Sequence, residues 1–202
     1  MSDSQIAPWR ETLWNEVRSL DPEKVCPQAS AQYHEDGFYT VIFMGEEYYV
    51  YPAEERVTGP ENDIFELYPK FELVLLSYLA KAKDIQPYGK WISEKEIPGG
   101  STFFRGPHSL PEIPIMKRFG RDAEGFLKTG EKLGGKKAEF GDASMEFLML
   151  PRIPMICVLW IEDDEFPARV NYLFDASIEH QMAMDVVYAM VKCFVRKFLG
   201  NS

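Results

Sequence analysis

The apolar residues follow a helical spacing over residues 7–20, where they recur every three or four positions. Asp21-Pro22 ends this helix, because the residue before a proline is disfavoured in helical conformation. From Phe38 to Pro52 the pattern changes to two β-prone runs, FYTVIF and EYYVYP, on either side of a turn at Met44–Glu46. The chain is therefore predicted to begin with an amphipathic helix that is followed by a β-hairpin.

Residues 62–83 contain the most apolar helical stretch of the chain. Between Phe71 and Leu79 its apolar residues point to nearly all sides, as expected of a helix buried in the middle of a domain. Pro69 is expected either to begin this helix or to kink an earlier turn. The pattern predicts one central, buried helix.

Shorter elements and a strand meander are predicted for the rest of the chain. An extended segment is expected at Lys90–Ser93, and short helices at Pro111–Phe119 and Asp122–Leu133, with Asp122 as N-cap of the second. The predicted meander strands are Lys137–Phe140, Ser144–Leu150, Ile153–Ile161 and Ala168–Phe174. A last amphipathic helix buries one face made by Val187, Met190, Val191, Phe194 and Phe198.

These elements predict the fold class α+β, as a single domain over residues 1–202. Its sheet is expected to be mainly antiparallel and to combine the hairpin with the C-terminal meander. One helix is buried at the centre, and the N- and C-terminal helices are amphipathic. Residues 1–30 are interpreted as the N-terminal helix and a lead-in to the remainder.

The charge and the cysteines narrow the possible partners and location. The net charge is −10, from 32 acidic and 22 basic residues, which argues against nucleic acid and anionic lipid as partners. No run reaches the roughly 18–20 apolar residues that cross a bilayer, and Met1–Gln5 lacks the basic start of a signal peptide. Three scattered cysteines without a C-x-x-C motif indicate free thiols and a cytoplasmic location.

Four consecutive acids, Glu162 to Glu165, are the first candidate for chemistry. A Ca²⁺ site needs six to eight oxygens around the ion, whereas neighbouring side chains of an extended chain point to opposite faces. Only alternate members such as Asp163 and Glu165 could converge on a metal. We interpret the stretch as the solvated tip of a hairpin and keep Asp163 and Glu165 as weak metal-ligand candidates.

Asp175, Ser177 and His180 form the second candidate, since a Ser/His/Asp set invites a hydrolase interpretation. A triad requires convergence from separate elements and an oxyanion hole, and no G-x-S-x-G elbow is present. Asp175 and Ser177 are more typical of capping groups between a strand and a helix.

An aromatic ligand site is the third candidate. Trp91, Phe103 and Phe104 flank the Pro/Gly-rich turn at residues 98–100, and we expect this loop to border the main concavity. Asp175, Ser177 and His180 would supply polar groups on its opposite wall, because pockets combine apolar walls with a few polar groups. The alternative is that Trp91 closes the edge of the core and His180 is exposed.

The stretch from Pro151 to Asp175, with His180 and the last amphipathic helix after it, resembles an uncharacterised prokaryotic family, domain of unknown function 3786. Leu76–Leu79, Gly89–Ser93 and Pro98–Gly100 also look like that family, and the likeness covers residues 31–202. The chain departs from the family's pattern at Met182–Asp185, where relatives tend to have an acidic pair.

The resemblance implies a metabolic setting for the protein but no enzymatic activity. Such proteins are common in anaerobes, and some look fused to a four-iron–four-sulfur domain like that of corrinoid proteins. A corrinoid or another tetrapyrrole is therefore implied as a cofactor, and an iron–sulfur or corrinoid protein as a partner, by association only. Because this sequence has no cysteine cluster, the iron–sulfur cluster would belong to the partner.

Three functional hypotheses follow. The first is a cytoplasmic binding or accessory domain that holds a small planar ligand or docks an iron–sulfur or corrinoid protein, and we favour this non-enzymatic interpretation. The second is an enzyme that uses Asp163, Glu165, Asp175 and His180, with or without a metal, for example as a hydrolase. The third is a structural scaffold whose oligomeric state the sequence leaves open.

Overall fold

The computed structural model describes residues 7–61, 63–65 and 68–200. Within these ranges eight α-helices and nine β-strands form an α+β fold whose strands are divided between two antiparallel sheets. The predicted fold class α+β is confirmed, but the expectation that the hairpin and the meander share one sheet is wrong, since they lie in separate sheets. The prediction that Met1–Gln5 is no signal peptide concerns residues outside the described ranges.

The first sheet is built around the predicted hairpin. Its strands, in spatial order, are β1 (Gln32–Tyr33), β2 (Tyr39–Phe43), β3 (Glu46–Tyr51) and β4 (Arg56–Thr58). Met44 and Gly45 form the two-residue turn between β2 and β3, with φ angles of 47° and 79°. Two left-handed residues give a turn whose twist matches that of the paired strands, which is why the hairpin closes here.

Three helices belong to the N-terminal half: α1 (Ala7–Arg18), α2 (Pro22–Ala29) and α3 (Pro69–Lys81). The sequence analysis missed α2 because Asp21-Pro22 was interpreted only as a stop. The same pair also starts a helix, since the Asp21 side chain accepts a hydrogen bond from the Glu23 N–H at 3.1 Å and Pro22 occupies the first position. The buried central helix was predicted correctly, and Pro69 begins it.

The second sheet contains the predicted meander. Its strands are β5 (Trp91–Ser93), β6 (Lys136–Lys137), β7 (Ala143–Leu150), β8 (Ile153–Trp160) and β9 (Arg169–Asp175), in the order β5-β9-β8-β7-β6. The strand predicted at residues 137–140 is shorter than expected. Phe140 donates its N–H to Ser144 Oγ at 3.0 Å and Gly141 adopts a φ of 58°, so the chain turns before it can continue the ladder.

The remaining helices are α4 (Gly100–Phe103), α5 (Ile113–Phe119), α6 (Ala123–Lys132), α7 (Ile178–Gln181) and α8 (Met184–Leu199). Short 3-10 turns lie at Pro52–Glu54 and Gly106–His108. Asp122 caps α6 as predicted, with its side chain accepting from the Gly125 N–H at 2.8 Å. The one-turn helices α4 and α7 were not predicted, since four residues are too few to show a helical period.

The core is organised around α8. Phe194 is fully buried, and its ring centroid lies 5.0 Å from that of Phe147 on β7 and 5.2 Å from that of Phe198. The five residues of the predicted apolar face of α8 are all buried: Val187, Met190, Val191, Phe194 and Phe198. The last helix is therefore part of the central core, as its amphipathic pattern indicated.

In the described part of the chain, no helix combines the length and apolar character that crossing a membrane would require. The three cysteines are free. Cys157 and Cys193 are fully buried, and desolvation raises the pKa of both thiols. Cys26 is half-buried, and its pKa is raised for the same reason.

Candidate functional site

Asp175, at the end of β9, holds the segment that leads into β5. Its carboxylate accepts hydrogen bonds from the backbone N–H groups of residues 88–90, at 2.7–3.2 Å, and from that of Ser177 at 2.9 Å. Trp91 is the cross-strand partner of Asp175. Two of the residues predicted to form a ligand site thus lie together at this edge of the sheet.

The hydrogen bonds keep Asp175 ionised. Burial raises its pKa, but hydrogen bonds from Ser177 and from the Tyr88 and Gly89 N–H groups outweigh that effect, so the pKa lies below its ordinary value. The sequence analysis considered Asp175 a capping group, and these contacts fit that role.

Ser177 and His180 do not form a triad with Asp175. The Ser177 hydroxyl lies close enough to Asp175 to lower its pKa, but it lacks the geometry of a hydrogen bond and has no other described partner. The His180 Nε2 atom lies 3.4 Å from Glu179 Oε1, and its ring faces Tyr88 at 6.2 Å. No hydrogen bond among the described residues links His180 to Ser177 or Asp175 through their side chains.

Phe103 and Phe104 pack in a different group. The Phe103 ring stacks on His108 at 4.8 Å, and Phe104, which is buried, meets Phe103 edge to face at 5.0 Å. His108 in turn contacts Tyr188 of α8. Three cavities of about 730, 450 and 560 Å³ lie among the described residues, and none of the six predicted site residues lines them, so a shared ligand pocket stays a prediction.

The acidic stretch forms a local turn. Asp163 Oδ1 accepts from the N–H groups of Glu165 and Phe166, at 2.8 and 2.7 Å, and Glu162 pairs with Arg121. The carboxylate of Asp163 is therefore engaged with its own backbone. Among the described residues no group of three or more His, Cys, Asp or Glu side chains could hold a metal ion, and so Asp163 and Glu165 belong to none.

A cavity of about 730 Å³ lies between the first sheet and α3 and combines apolar walls with charged groups. It is lined by Arg10 of α1, residues 55–60 around β4, Asp63 and Phe65, and the first turn of α3. We refer to it as the β4–α3 cavity. Its volume falls within the range of about 300–1,000 Å³ that is typical of small-molecule sites.

One wall of the β4–α3 cavity is an ion-pair network. The Arg10 guanidinium donates to Glu72 at 2.9–3.0 Å and to the Glu55 carbonyl oxygen at 2.9 Å. Glu72 also accepts from the indole N–H of the buried Trp14, at 2.6 Å. The hydrogen bonds that Arg10 donates to Glu72 are the largest of the effects that raise the pKa of Arg10, so this wall stays charged.

Another part of the cavity lining carries a carboxyl group, that of Asp63, whose pKa is raised. Tyr48 Oη lies 3.3 Å from Asp63 Oδ1 and 3.2 Å from Glu46 Oε2, so its single proton can serve only one of them at a time. Burial raises the pKa of Asp63, although the Phe65 N–H, Tyr48 and the charge of Lys197 act in the other direction. Burial also raises the pKa of Tyr48, with the charges of Asp63 and Glu46 adding to it.

Aromatic rings and a glycine shape the remaining surface. Phe65 stacks on Phe71 at 4.2 Å, and Tyr68 follows at 6.4 Å from Phe65. Gly59 lies against Tyr48: a Cβ atom there would be 2.4 Å from the tyrosine ring and 3.0 Å from Asp63 Oδ2. A side chain at position 59 would therefore displace the Tyr48–Asp63 pair.

Sequence reasoning missed this cavity because its walls come from segments far apart in the chain. One signal was present, since Phe65, Tyr68 and Phe71 recur every third residue and are followed by the acid Glu72. That spacing was interpreted only as part of a buried helix.

The comparisons with known proteins give one match. A family model described as Domain of unknown function (DUF3786) matches residues 21–197 of the chain. No curated protein and no solved structure matches it.

Proposed function

The chain belongs to the family described as Domain of unknown function (DUF3786), and from that premise we propose that it is a binding domain whose β4–α3 cavity holds a small planar ligand. The observation that carries the proposal is a cavity of ligand size that joins aromatic walls to a carboxyl group with a raised pKa. Perturbed titratable groups in mostly apolar cavities are typical of binding and active sites.

The aromatic wall favours a flat ligand. Phe65 and Phe71 are themselves buried, while Tyr68 is half-exposed and continues their stack towards solvent. The Arg196 guanidinium lies over the Tyr68 ring at 5.0 Å, so an aromatic ligand would meet the exposed part of Tyr68 in a tilted or edge-to-face arrangement, geometries that aromatic pairs prefer.

Asp63 favours a ligand that has hydrogen-bond donors on its edge. Among the described residues no well-aligned donor reaches its Oδ2 atom, while Oδ1 lies next to Tyr48. Burial raises the pKa of Asp63, which means that its carboxylate is less well stabilised here than at the surface and gains from new hydrogen-bond donors. A heterocycle with a ring N–H beside an amino group would match such a carboxyl group.

The other hypotheses have weaker support. For an enzyme based on Asp163, Glu165, Asp175 and His180, Oδ1 of Asp163 and both oxygens of Asp175 already accept hydrogen bonds from backbone N–H groups. A structural scaffold would need a surface that binds a partner, and the β4–α3 cavity does not indicate such a surface. A cytoplasmic location remains our proposal, supported by the three free cysteines. An iron–sulfur or corrinoid partner is supported by the family resemblance alone.

The test uses two planar probes: 2-aminobenzimidazole, which presents adjacent N–H donors, and hydroxocobalamin, which represents the corrinoids. We expect saturable binding of at least one probe by calorimetry and a loss of affinity of about tenfold in Asp63→Asn, the factor that one hydrogen bond to a charged group supplies. Asp164→Asn, which changes charge equally in an exposed turn, is the matched control and should bind like the wild type.

Two outcomes would contradict the proposal. One is the absence of saturable binding of either probe up to about 1 mM, a concentration that corresponds to only about 4 kcal/mol of binding free energy. The other is binding that Asp63→Asn and Asp164→Asn affect equally, which would place the probe outside the β4–α3 cavity. Thermal unfolding of each variant shows whether a lost affinity reflects a lost fold.

A further inference from the structure

A second cavity, of about 560 Å³, runs along the exposed side of α8. Pro111 and Pro114, at the start of α5, form one wall, and Lys192, Val195, Arg196 and Leu199 of α8 form the other. We refer to it as the α8 groove. The described residues that line it include two cations and no carboxylate, whereas Glu55, Asp63 and Glu72 all line the β4–α3 cavity.

The two cations are oriented by neutral groups. The Arg196 Nε–H donates to the Ile64 carbonyl oxygen at 2.8 Å, and the guanidinium lies over the Tyr68 ring at 5.0 Å. The Lys192 ammonium donates to Tyr188 Oη at 3.4 Å. In the part of the chain that the structure describes, neither cation has a carboxylate within 4.0 Å, in contrast to Lys197 on the same helix, which pairs with Glu46.

This arrangement is unusual for a chain of net charge −10. Lys192 and Arg196 lie one helical turn apart, where like charges repel. Lys70, in the first turn of α3, is a third nearby cation: burial and then the charge of Lys192 lower its pKa. Acids outnumber bases 32 to 22, yet no carboxylate of the described residues lies within 4.0 Å of the charged groups of Lys70, Lys192 or Arg196. An external anion would relieve the repulsion.

We propose that the α8 groove binds a small organic anion, with a phosphate or carboxylate head between Lys192 and Arg196 and an apolar body against Pro111, Pro114 and Leu199. The planar fork of an arginine matches both anions, and a lysine adds a point charge. The apolar lining explains why the ligand is an organic anion rather than an inorganic ion. This groove shares no lining residue with the β4–α3 cavity, although the Arg196 guanidinium packs over Tyr68, which lines that cavity.

The test compares four probes by calorimetry and by amide NMR of α8: phenyl phosphate, benzoate, phenol and inorganic phosphate. We expect saturable binding of phenyl phosphate, benzoate or both, and the stronger of the two identifies the head group. Phenol lacks the charge and inorganic phosphate lacks the body, so each should bind at least about tenfold more weakly. Added salt should weaken the binding.

The variants locate the site. Lys192→Gln and Arg196→Gln should each weaken binding of the better probe about tenfold, and both residues are exposed enough for the fold to tolerate the change. Lys128→Gln, on the exposed face of α6, is the control of equal charge change, and Asp63→Asn tests independence from the other cavity. Neither should alter the affinity.

The proposal is overturned if neither organic anion binds saturably at millimolar concentration. It is also overturned if phenol or inorganic phosphate binds as well as the stronger of the two organic anions, because the charge or the apolar body would then be irrelevant. Equal losses in Lys128→Gln and Lys192→Gln would show only a general charge effect and would refute the assignment to this groove.

Discussion

Replacing Asp175 by Asn should destabilise the protein by about 3 kcal/mol, because it leaves backbone donors without an acceptor. Asn retains one oxygen, which can still accept from Tyr88 and Ser177, the partners of Asp175 Oδ1. The amide nitrogen takes the place of Oδ2, which accepts from Gly89 and Lys90 at 2.7 and 3.2 Å. Gly89 and Lys90 are exposed, so water can reach their N–H groups; the loss comes from two hydrogen bonds to a charged group, which contribute at least about 1.5 kcal/mol each.

The pH dependence of this loss has a definite sign. The folded pKa of Asp175 lies below its ordinary value of 3.8, so the carboxylate contributes its stability above about pH 3.8. That contribution disappears as the pH falls through the folded pKa, because proton binding then favours the unfolded chain. Asn does not titrate, and the difference between wild type and Asp175→Asn should narrow in acid.

Urea unfolding followed by circular dichroism, at neutral pH and at several acidic values, measures both effects. Asp164→Asn, in an exposed turn, serves as the control and should stay within about 0.5 kcal/mol of the wild type. A loss below about 1 kcal/mol in Asp175→Asn, or a difference that does not change with pH, would refute the role of the backbone hydrogen bonds.

Three further substitutions test the packing and the turns. Phe194→Ala should cost about 3–5 kcal/mol in urea unfolding, as a large-to-small change at a fully buried site, and a cost under about 1 kcal/mol would remove α8 from the core. The double substitution of Asp163 and Asp164 by Asn should change the free energy of unfolding by no more than about 0.5 kcal/mol, since Asn can accept the same backbone hydrogen bonds. A Ca²⁺-dependent rise in melting temperature in the wild type alone would contradict this. Gly59→Ala should cost about 1–3 kcal/mol in thermal unfolding, because its Cβ would lie 2.4 Å from the Tyr48 ring, and an unchanged melting temperature would mean that the ring moves freely.

The sequence correctly predicted those helices and strands that are specified by residues within a single segment of the chain. The hairpin, the central helix and the meander each have a periodicity or a turn that lies within a single segment. The helix α2 was missed because it is only eight residues long and contains Pro27. The division into two sheets depends on which strands pair across the fold, and strand patterns alone do not specify their partners.

The same limit applies to the candidate site. The sequence does not show that two carboxyl groups, those of Asp175 and Asp63, have different roles. Asp175 is the last residue of β9 and is buried, whereas Asp63 lies in the connection between β4 and α3 and is half-buried. Asp175 accepts four backbone N–H groups, which lower its pKa and occupy both oxygens, so it holds a loop in place. Asp63 has only Tyr48 as a well-aligned partner among the described residues, and burial therefore raises its pKa.

That difference depends on donors contributed by distant segments: residues 88–90 approach Asp175 only because β5 pairs with β9. A carboxyl group already saturated by the backbone has little capacity left for a ligand, whereas one that is desolvated and incompletely bonded gains most from a new partner. Asp63, which the sequence did not single out, is for this reason a stronger candidate for ligand binding than Asp175, which it did.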